Sequence, residues 1–298
     1  MTSEPENTAG TIKAVDEVVD IVSKLIRFDT SNTGEPETTK GEVLHYYAAV
    51  APRLLPQMAG RPVTRVRFPH GVGDLNFFEK NVPGGAPTWL TAHDIDGVRY
   101  PFVDSTAALT YFANLASLEF HTPQWRWENG ERRAPDRLVL DLDPGAPAGL
   151  DECARVALVM KDLLDSLGWA CVPVTSGSKG MQLYATLGGD LTSDQVRDLT
   201  QQLAQEMTQR HPDLVLWKMT KSLRPGKVFI DWSQNVAAKT TVCPYSMRGR
   251  EDPWVAAPRT WEEVEAGAED PGALTQLDHE QVLERLETDG DLLAPLLG

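Results

Sequence analysis

The segment RLVLDLDPG, residues 137–145, restricts the fold of this chain more than any other stretch of its sequence. Its apolar residues lead to two aspartates, Asp141 and Asp143, and the Pro-Gly pair that follows predicts a turn. Successive side chains of a strand point to opposite faces, so both aspartates share one face at the strand's end. Two neighbouring carboxylates predict a divalent-metal site, and a solvated strand end is the alternative interpretation.

A second apolar stretch, GKVFIDWSQN at residues 226–235, also ends in an acid, Asp231. Three carboxylates on two adjacent strands suit two-metal catalysis of an in-line displacement at phosphorus. In such a reaction, positioning and charge neutralisation do most of the work. The two segments together therefore predict phosphoryl or nucleotidyl transfer.

A third segment, VTSGSKGMQLY at residues 174–184, has the pattern of a strand, a glycine-containing turn and another strand. Its two glycines allow close approach of the backbone to a ligand, and Ser176, Ser178 and Lys179 offer donors suited to phosphate. The spacing is not that of a Walker loop, and no helix is predicted after it. The segment indicates a triphosphate site, with an ordinary Ser/Gly hairpin turn as the alternative.

Hydrophobic periodicity predicts helices interleaved with short strands. Apolar residues recur at helical spacing over residues 41–58, 150–167 and 193–210. Short alternating or β-branched runs predict strands at Arg137–Asp143, Ala170–Thr175, Met181–Ala185 and Lys227–Trp232. This order of elements is typical of an α/β or α+β domain.

The net charge of −15 argues against a polyanionic partner, but the charges are unevenly distributed. Residues 218–250 carry seven lysines and arginines against one acid, whereas residues 251–298 carry thirteen acids against two arginines. A basic face with an acidic C-terminal segment is compatible with nucleic-acid binding. A solvated basic face is the alternative interpretation.

Cysteine content and hydropathy predict the compartment. The three cysteines, Cys153, Cys171 and Cys243, are widely spaced, which suits neither a disulfide framework nor a zinc site. No stretch approaches the length of a membrane-spanning helix, and the N-terminus lacks the pattern of an export signal. We therefore expect a cytoplasmic protein without a membrane partner.

The ordered segments of the chain resemble the polymerase domain of bacterial DNA ligase D, in the archaeo-eukaryotic primase superfamily. The resemblance covers about residues 38–298 and includes, in order, TTKGEVLHYYAAVAP, AGRPVTRVRFPHGV, FFEK, YPFVDS, LEFHTPQW, LVLDLDPG, TSGSKG, KSLRPGKVFIDWSQN and KTTVCPYSMRGR. It implies an α+β fold with a mixed or antiparallel central sheet flanked by helices. It also implies a DNA-primed, template-dependent nucleotidyltransferase that uses two Mn²⁺ or Mg²⁺ ions.

The resemblance assigns roles to matching positions of this sequence. The implied catalytic and metal-binding residues are Asp141, Asp143 and Asp231. The implied nucleotide-binding residues are His121, Ser176, Ser178, Lys179, Gln182 and Arg248. The implied DNA-binding residues are Lys40, Arg67, Phe77, Phe78, Lys80, Lys221, Arg224 and Gln234.

Some of these assignments have alternatives. Phe77 and Phe78 are expected to stack on template bases, but an adjacent aromatic pair also fits a hydrophobic core. Gln182 stands where the family usually has histidine, and Val66 stands where it commonly has lysine. Glutamine still donates a hydrogen bond but carries no charge, so we expect altered nucleotide affinity. The loss of lysine leaves Lys40 and Arg67 as the expected ligands for a recessed 5′-phosphate.

The implied substrates are primer-template or gapped DNA and ribo- or deoxyribonucleoside triphosphates. The implied context is gap filling or non-homologous end joining by a nucleoid-associated monomer, with a separate DNA ligase and a Ku-type protein as partners. Two other functions are compatible with parts of the sequence: a catalytically weak DNA-end-binding protein and a phosphatase of the haloacid dehalogenase type. The phosphatase motif requires Thr or Val at the position of Gly145, which disfavours the second of them.

The N-terminal segment differs from the rest of the chain. Residues 14–42 resemble the start of a zinc aminoacylase or carboxypeptidase-like peptidase, whose later metal ligands are not recognisable here. We therefore predict an atypical N-terminal arm at residues 1–36 and a primase-polymerase catalytic domain at residues 37–298.

Overall fold

The protein is described by a computed structural model that covers residues 40–296. The predicted arm of residues 1–36, and with it most of the segment that resembles a peptidase, lies outside the described residues. In the described part of the chain, no helix is both long and apolar enough to cross a membrane.

Three of the helices were predicted from periodicity, and all three are confirmed to within about one residue. Numbered in chain order, the α-helices are α1 (Lys40–Met58), α2 (Thr106–Asn114), α3 (Leu150–Ser166), α4 (Ser193–Arg210), α5 (Trp261–Glu269) and α6 (His279–Thr288). Several begin at a side-chain cap: the hydroxyl of Thr192 accepts from the Gln195 amide at the start of α4. Such caps satisfy backbone donors that the first helical turn leaves free.

The strands are short and belong mainly to two sheets. In chain order they are β1 (Thr64–Arg67), β2 (Phe77–Glu79), β3 (Ala92–Ile95), β4 (Val98–Pro101), β5 (Ser117–Thr122), β6 (Trp125–Glu128), β7 (Glu131–Pro135), β8 (Arg137–Pro144), β9 (Cys171–Thr175), β10 (Met181–Thr186), β11 (Val215–Leu216), β12 (Val228–Asp231), β13 (Thr241–Val242), β14 (Trp254–Val255), β15 (Ala257–Pro258) and β16 (Leu277–Asp278). The four strands predicted from the sequence are β8, β9, β10 and β12, so those predictions are confirmed.

The larger sheet has six strands in the order β11-β12-β8-β10-β9-β15. All of its pairings are antiparallel except the parallel pair β11 and β12, so the predicted mixed sheet is confirmed. A second sheet of four strands has the order β13-β5-β1-β2. The chain therefore has the predicted α+β organisation, with the acid-bearing strands β8 and β12 side by side near the middle of the larger sheet.

The two faces of β8 belong to different hydrophobic clusters. Leu138, Leu140 and Leu142 pack with residues of α3 and α4, whereas Val139 packs with a cluster that contains residues of α1 and of the four-stranded sheet. Because side chains alternate along a strand, Asp141 and Asp143 continue the Val139 face. That face changes from core at Val139 to acidic groups at Asp141 and Asp143, and this change positions the site.

Candidate active site

The structure brings the two acidic strands together in register. Strands β8 and β12 pair antiparallel, with Asp231 directly opposite Asp141 and Phe229 opposite Asp143. Directly opposed residues of an antiparallel pair lie close together and project from the same face. Residues separated by ninety positions in the sequence therefore form one acidic edge.

Asn235 fixes the chain immediately after Asp231. Its amide nitrogen donates to the carbonyl of Val139 at 2.7 Å, and its amide oxygen accepts from the Val139 amide at 2.9 Å. After Asp231 the chain leaves the sheet and forms a short 3-10 helix, Trp232–Asn235. The Asn235 side chain therefore makes the hydrogen bonds to Val139 that a further residue of β12 would otherwise make. This pair of bonds fixes the 3-10 helix, and with it Asp231, against β8.

The carboxylates of the acidic edge repel one another. Burial and the neighbouring charge of Asp143 raise the pKa of Asp141 to about 7, and burial together with Asp231 raises the pKa of Asp143. A raised carboxyl pKa means that the folded protein disfavours the charged form. The acidic edge is therefore short of positive charge, which is the electrostatic condition for binding cations.

Each carboxylate already has a polar neighbour. Gln182 donates to Asp141 at 3.1 Å, Gln234 donates to Asp231 at 2.9 Å, and Ser233 donates to Asp231 from its amide at 3.0 Å. Arg224 and Lys239 are more distant, at 3.8 Å from Asp143 and 4.0 Å from Asp231. Both cations are too far away to neutralise the edge fully.

Carboxylate oxygens are the donors that Mg²⁺ and Mn²⁺ prefer, so the chemistry of the three aspartates fits such ions. Their side-chain conformations do not yet form a ligand set. Within residues 40–296 no three His, Cys, Asp or Glu side chains are arranged so that they could hold a metal ion. The hydrogen bonds from Ser233 and Gln234 account for this at Asp231, because they direct its carboxylate toward the 3-10 helix. Joint coordination would require a side-chain rotation there.

A cleft of about 480 Å³ opens in front of Asp141 and Asp143. It is lined by His121, Asp141, Asp143, Pro144, Ser176, Ser178, Lys179, Gly180, Gln182, Arg224, Gln234, Thr240, Thr241, Val242, Arg248 and Arg250. Asp231 is not among the lining residues, although its hydrogen-bond partner Gln234 is. The cleft therefore combines the two carboxylates of β8 with several cationic and hydroxyl side chains, which is a suitable lining for a polyanion bound through metal ions.

The predicted hairpin turn between β9 and β10 forms one wall of the cleft. Gly177 has φ +64°, which glycine adopts without steric cost, and a Cβ at Gly180 would lie only 2.0 Å from the Leu142 carbonyl oxygen. Gln276 accepts from the Gly177 amide and donates to the Gly180 carbonyl, so it fixes the turn from outside. Gly180 thus allows the turn to pack directly on β8, whereas Gly177 allows it to lie against Arg248 and Val255.

A charged cluster that combines Glu119 and His121 of β5 with Arg248 also borders the cleft. His121 Nε2 lies 2.8 Å from Glu119 Oε2, and Arg248 Nε lies 3.2 Å from Glu119 Oε1. His121 and Arg248 were predicted from the sequence, but Glu119 was not. The available signal was the spacing in LEFH, which places Glu119 and His121 on the same face of a strand. Thr240, Thr241 and Arg250 also line the cleft and were missed, since no pattern distinguishes them from other residues of the basic stretch.

The other predicted DNA-binding residues lie outside the cleft lining. Phe77 and Phe78, on the edge strand β2, are 48% and 57% exposed, so the alternative that places them in the core is wrong. Lys40 and Lys221 are exposed, and Lys80 is half-buried. Arg67 is engaged elsewhere: it donates to Glu79 at 2.7 Å and to the Leu115 carbonyl. Phe78 lies edge-to-face with His121, with 6.1 Å between the ring centroids, so the exposed aromatic pair adjoins the cleft.

The fold and the site define a nucleotidyltransferase of the primase-polymerase class. The model of the family "LigD, primase-polymerase domain" matches residues 39–293, and the chain belongs to this family. The polymerase domain from Mycobacterium tuberculosis ligase D in complex with DNA is similar in structure, with a TM-score of 0.82 and 46% identity over 87% of this chain and 92% of that one. The predicted family, fold and enzyme class are confirmed. The phosphatase alternative is wrong, because the chain belongs to a different family.

Curated full-length relatives give the same result. The multifunctional non-homologous end joining protein LigD of Mycolicibacterium smegmatis is 46% identical over 87% of this chain and 34% of its own length. The bifunctional non-homologous end joining protein LigD of Bacillus subtilis is 34% identical over 85% of this chain and 40% of its own length. The chain thus spans about a third of the length of the first of these relatives and two fifths of the second.

Proposed function

We propose that this chain extends the 3′ end of a DNA primer by template-dependent nucleotidyl transfer. The observation that carries the proposal is the register of β8 and β12, which sets Asp231 opposite Asp141 beside a cleft lined by cations. In-line attack on a triphosphate requires charge neutralisation on both sides of the transferred phosphorus. An acidic edge facing basic side chains supplies both parts of that requirement.

Asp141, Asp143 and Asp231 are proposed to hold two Mn²⁺ or Mg²⁺ ions. When bound, such ions would neutralise the triphosphate and make the primer hydroxyl more acidic. The raised pKa of Asp141 and Asp143 supports this assignment, because cations would relieve the repulsion that raises it. The carboxylate of Asp231 would turn away from Ser233 and Gln234 to join them.

The cleft residues are proposed to bind the nucleotide. Lys179 and Arg248 would neutralise the phosphates, with hydroxyl or amide donors from Ser176, Ser178 and Gln182. His121, on β5, would contact the sugar. His121, Gln182 and Arg248 already have protein partners before substrate arrives, so they would help to orient the nucleotide, which accelerates a reaction between two bound partners.

DNA is proposed to bind on the surface around the cleft. Exposed Phe77 and Phe78 offer flat faces on which template bases of any sequence could stack. Arg224 and Gln234 line the cleft, where they would contact primer and template beside the nucleotide, and Lys221 would contact the DNA backbone. The proposed contacts for more distant phosphates are Lys40, Arg67 and Lys80. Arg67 would have to break its ion pair with Glu79 to bind a phosphate.

The biological setting is proposed from the relatives. Two of them are named for non-homologous end joining, so we propose that this chain fills gaps or extends ends during repair of broken DNA in the cytoplasm, at the nucleoid. A ligase activity would then seal the break and a Ku-type protein would hold the ends. We expect the chain itself to act as a monomer, which size-exclusion chromatography with light scattering would test.

The proposal is tested by primer extension on gapped and open primer-templates, with ribo- or deoxyribonucleoside triphosphates and Mn²⁺ or Mg²⁺. We expect nucleotide addition that follows the template and disappears in the Asp141→Ala, Asp143→Ala double variant. Asp162→Asn, an exposed aspartate on α3, is the matched control and should keep full activity. Binding of the DNA in a gel without any extension would instead support the DNA-end-binding alternative.

A further inference from the structure

Glu119 is a buried acid at the centre of the cluster that forms one wall of the cleft. Its side chain is only 9% exposed, and its two carboxylate oxygens contact three groups. Oε2 lies 2.8 Å from His121 Nε2, while Oε1 accepts from the Gly249 amide at 2.9 Å and lies 3.2 Å from Arg248 Nε. The two side chains that Glu119 contacts, His121 and Arg248, both line the cleft.

Glu119 is ionised in the folded protein. Burial alone would raise its pKa, but the hydrogen bond from His121, the charge of Arg248 and the Gly249 amide together lower the pKa to about 2. An ionised carboxylate only accepts hydrogen bonds. His121 must therefore carry a proton on Nε2, and Nδ1 is the ring nitrogen left for another partner.

Arg248 is fixed from two sides. Its Nη1 donates to the Ser176 carbonyl at 2.6 Å, which joins the guanidinium to the β9–β10 turn, and its Nε lies beside Glu119. A long arginine side chain loses considerable rotamer freedom when it binds a ligand, unless neighbours have already restricted it. The two contacts restrict it before a nucleotide arrives.

We propose that Glu119 is a positioning residue for nucleotide binding, which sets the tautomer and orientation of His121 and holds Arg248 toward the cleft. The inference rests on the proposed function, since it assigns His121 and Arg248 to the nucleotide. Glu119 itself is not placed against substrate, because its oxygens are occupied by protein groups. Its loss should therefore weaken nucleotide binding rather than remove a reacting group.

A half-buried glutamate, Glu263, provides a matched control. Glu263 accepts from Arg259 at 2.7 Å, from Arg285 at 2.8 Å and from the Thr260 amide at 2.9 Å, so it also joins two side chains and one backbone amide. None of these residues lines the cleft. Glu263→Gln measures what loss of such a cluster does to the fold alone.

The experiment compares Glu119→Gln, Glu119→Asp and Glu263→Gln with the wild type in steady-state primer extension. For Glu119→Gln we expect the KM for the nucleotide to rise about ten- to hundredfold, the range for loss of hydrogen bonds to charged groups, with a smaller change in kcat. Glu119→Asp keeps the charge but is one methylene shorter, so it should restore part of the affinity. Glu263→Gln should lower the melting temperature and leave KM within twofold of the wild type.

The proposal would be overturned if the KM of Glu119→Gln lay within twofold of the wild-type value. It would also be overturned if Glu119→Gln changed KM no more than Glu263→Gln does. The wild type provides a test that depends on neither variant. Nitrogen-15 NMR of histidine-labelled protein should show the His121 proton on Nε2, and a proton on Nδ1 alone would also overturn the proposal.

Nucleotide binding separates this inference from the proposed function. Titration calorimetry with ATP and Mn²⁺ reports affinity without requiring primer extension. If the wild type extends no primer, the proposed function fails, while weaker ATP binding by Glu119→Gln would still support the positioning role. If the wild type extends primers but ATP binding is equal in the two proteins, the positioning role fails and the proposed function stands.

Discussion

Two charged regions of the molecule contrast sharply. At the acidic edge of β8 and β12, aspartates face one another and the nearest cations are 3.8 and 4.0 Å away. In the C-terminal cluster, Glu263 lies between Arg259 and Arg285 at 2.7 and 2.8 Å. The pKa of Asp141 is raised to about 7, whereas contacts with Arg259, Arg285 and the Thr260 amide lower the pKa of Glu263 despite its burial.

The opposite directions of these shifts distinguish two uses of charge. A lowered carboxyl pKa means that folding favours the charged form, so the ion cluster stabilises the structure. A raised pKa means that the fold tolerates a charge it does not favour, and such groups are concentrated at functional sites. The contrast predicts that substitutions in one region change activity and in the other change stability.

The largest effect is expected on activity at the acidic edge. Asp141→Asn keeps the size of the side chain but removes the negative charge that would bind a cation. We expect kcat/KM for primer extension to fall by at least about a thousandfold, which corresponds to roughly 4 kcal/mol of lost transition-state stabilisation. Single-turnover extension with saturating Mn²⁺ measures it. Activity within tenfold of the wild type would remove Asp141 from the catalytic set.

The same substitution should not destabilise the fold. In the presence of a chelator, Asp141→Asn removes one of several like charges, so the free energy of unfolding should rise by about 1–2 kcal/mol, equivalent to a few degrees in Tm. Differential scanning calorimetry of both proteins gives the comparison. A loss of stability would show that the acidic edge contributes to the fold, which contradicts the contrast between the regions.

The next effect concerns a paired acid. Asp136 accepts from Arg61 at 2.6 Å and from Arg126 at 2.6 Å, and the Arg61 side chain is 2% exposed. Asp136→Ala leaves that buried guanidinium without its carboxylate, so we expect a loss of about 2–4 kcal/mol in unfolding free energy. Urea denaturation measures the loss. Glu206→Ala removes an exposed partner of Arg210 within α4 and should cost no more than about 0.5 kcal/mol.

The stability that Glu263 contributes should depend on pH. Because its folded-state pKa is lowered, the contribution is present in full above the ordinary glutamate pKa and is lost as pH falls through the folded-state value. Glu263→Gln weakens hydrogen bonds to charged groups, so it should lower stability at pH 7 by roughly 1.5–3 kcal/mol. The difference from wild type should shrink on acidification below about pH 4, where the carboxylate is protonated in the unfolded chain. Thermal unfolding between pH 7 and pH 3 tests the sign. A difference that grows in acid would contradict the assignment.

The smallest effect is expected at Gln182. This side chain is 3% exposed, donates to Asp141 at 3.1 Å and accepts from the Tyr184 hydroxyl at 3.1 Å. Gln182→Leu removes both bonds and should weaken apparent Mn²⁺ affinity about tenfold, as expected for a residue that orients a metal ligand. Gln182→His supplies one donor and one acceptor, so its affinity should lie within about threefold of the wild type. Equal affinities in all three proteins would remove this positioning role.

Local patterns in the sequence were sufficient to predict most of the elements that carry the site. The alternation in RLVLDLDPG places Asp141 and Asp143 on one face of β8, and the helical spacing of residues 41–58, 150–167 and 193–210 predicts α1, α3 and α4. These predictions depend only on neighbours along the chain, which is why they are reliable. The match of ordered segments was likewise sufficient to predict the family.

Other features are decided by contacts between distant parts of the chain. Whether Phe77 and Phe78 are core or surface depends on β2 being an edge strand, which their own sequence does not encode. The roles of Gln182 and Glu119 depend on partners 41 and 129 positions away, namely Asp141 and Arg248. Periodicity predicts which face a residue occupies but not which residue lies opposite.

The sequence by itself therefore determined the family, the α+β composition and the identity of the acidic residues, because composition, spacing and alternation are local properties. Only the tertiary structure decided that Asp231 lies in register with Asp141, that Asn235 fixes this register and that Glu119 joins His121 to Arg248. Register is a property of two strands at once. It is set by packing on both faces of the sheet, where a shift of one residue would exchange the Val139 face for the Leu140 face.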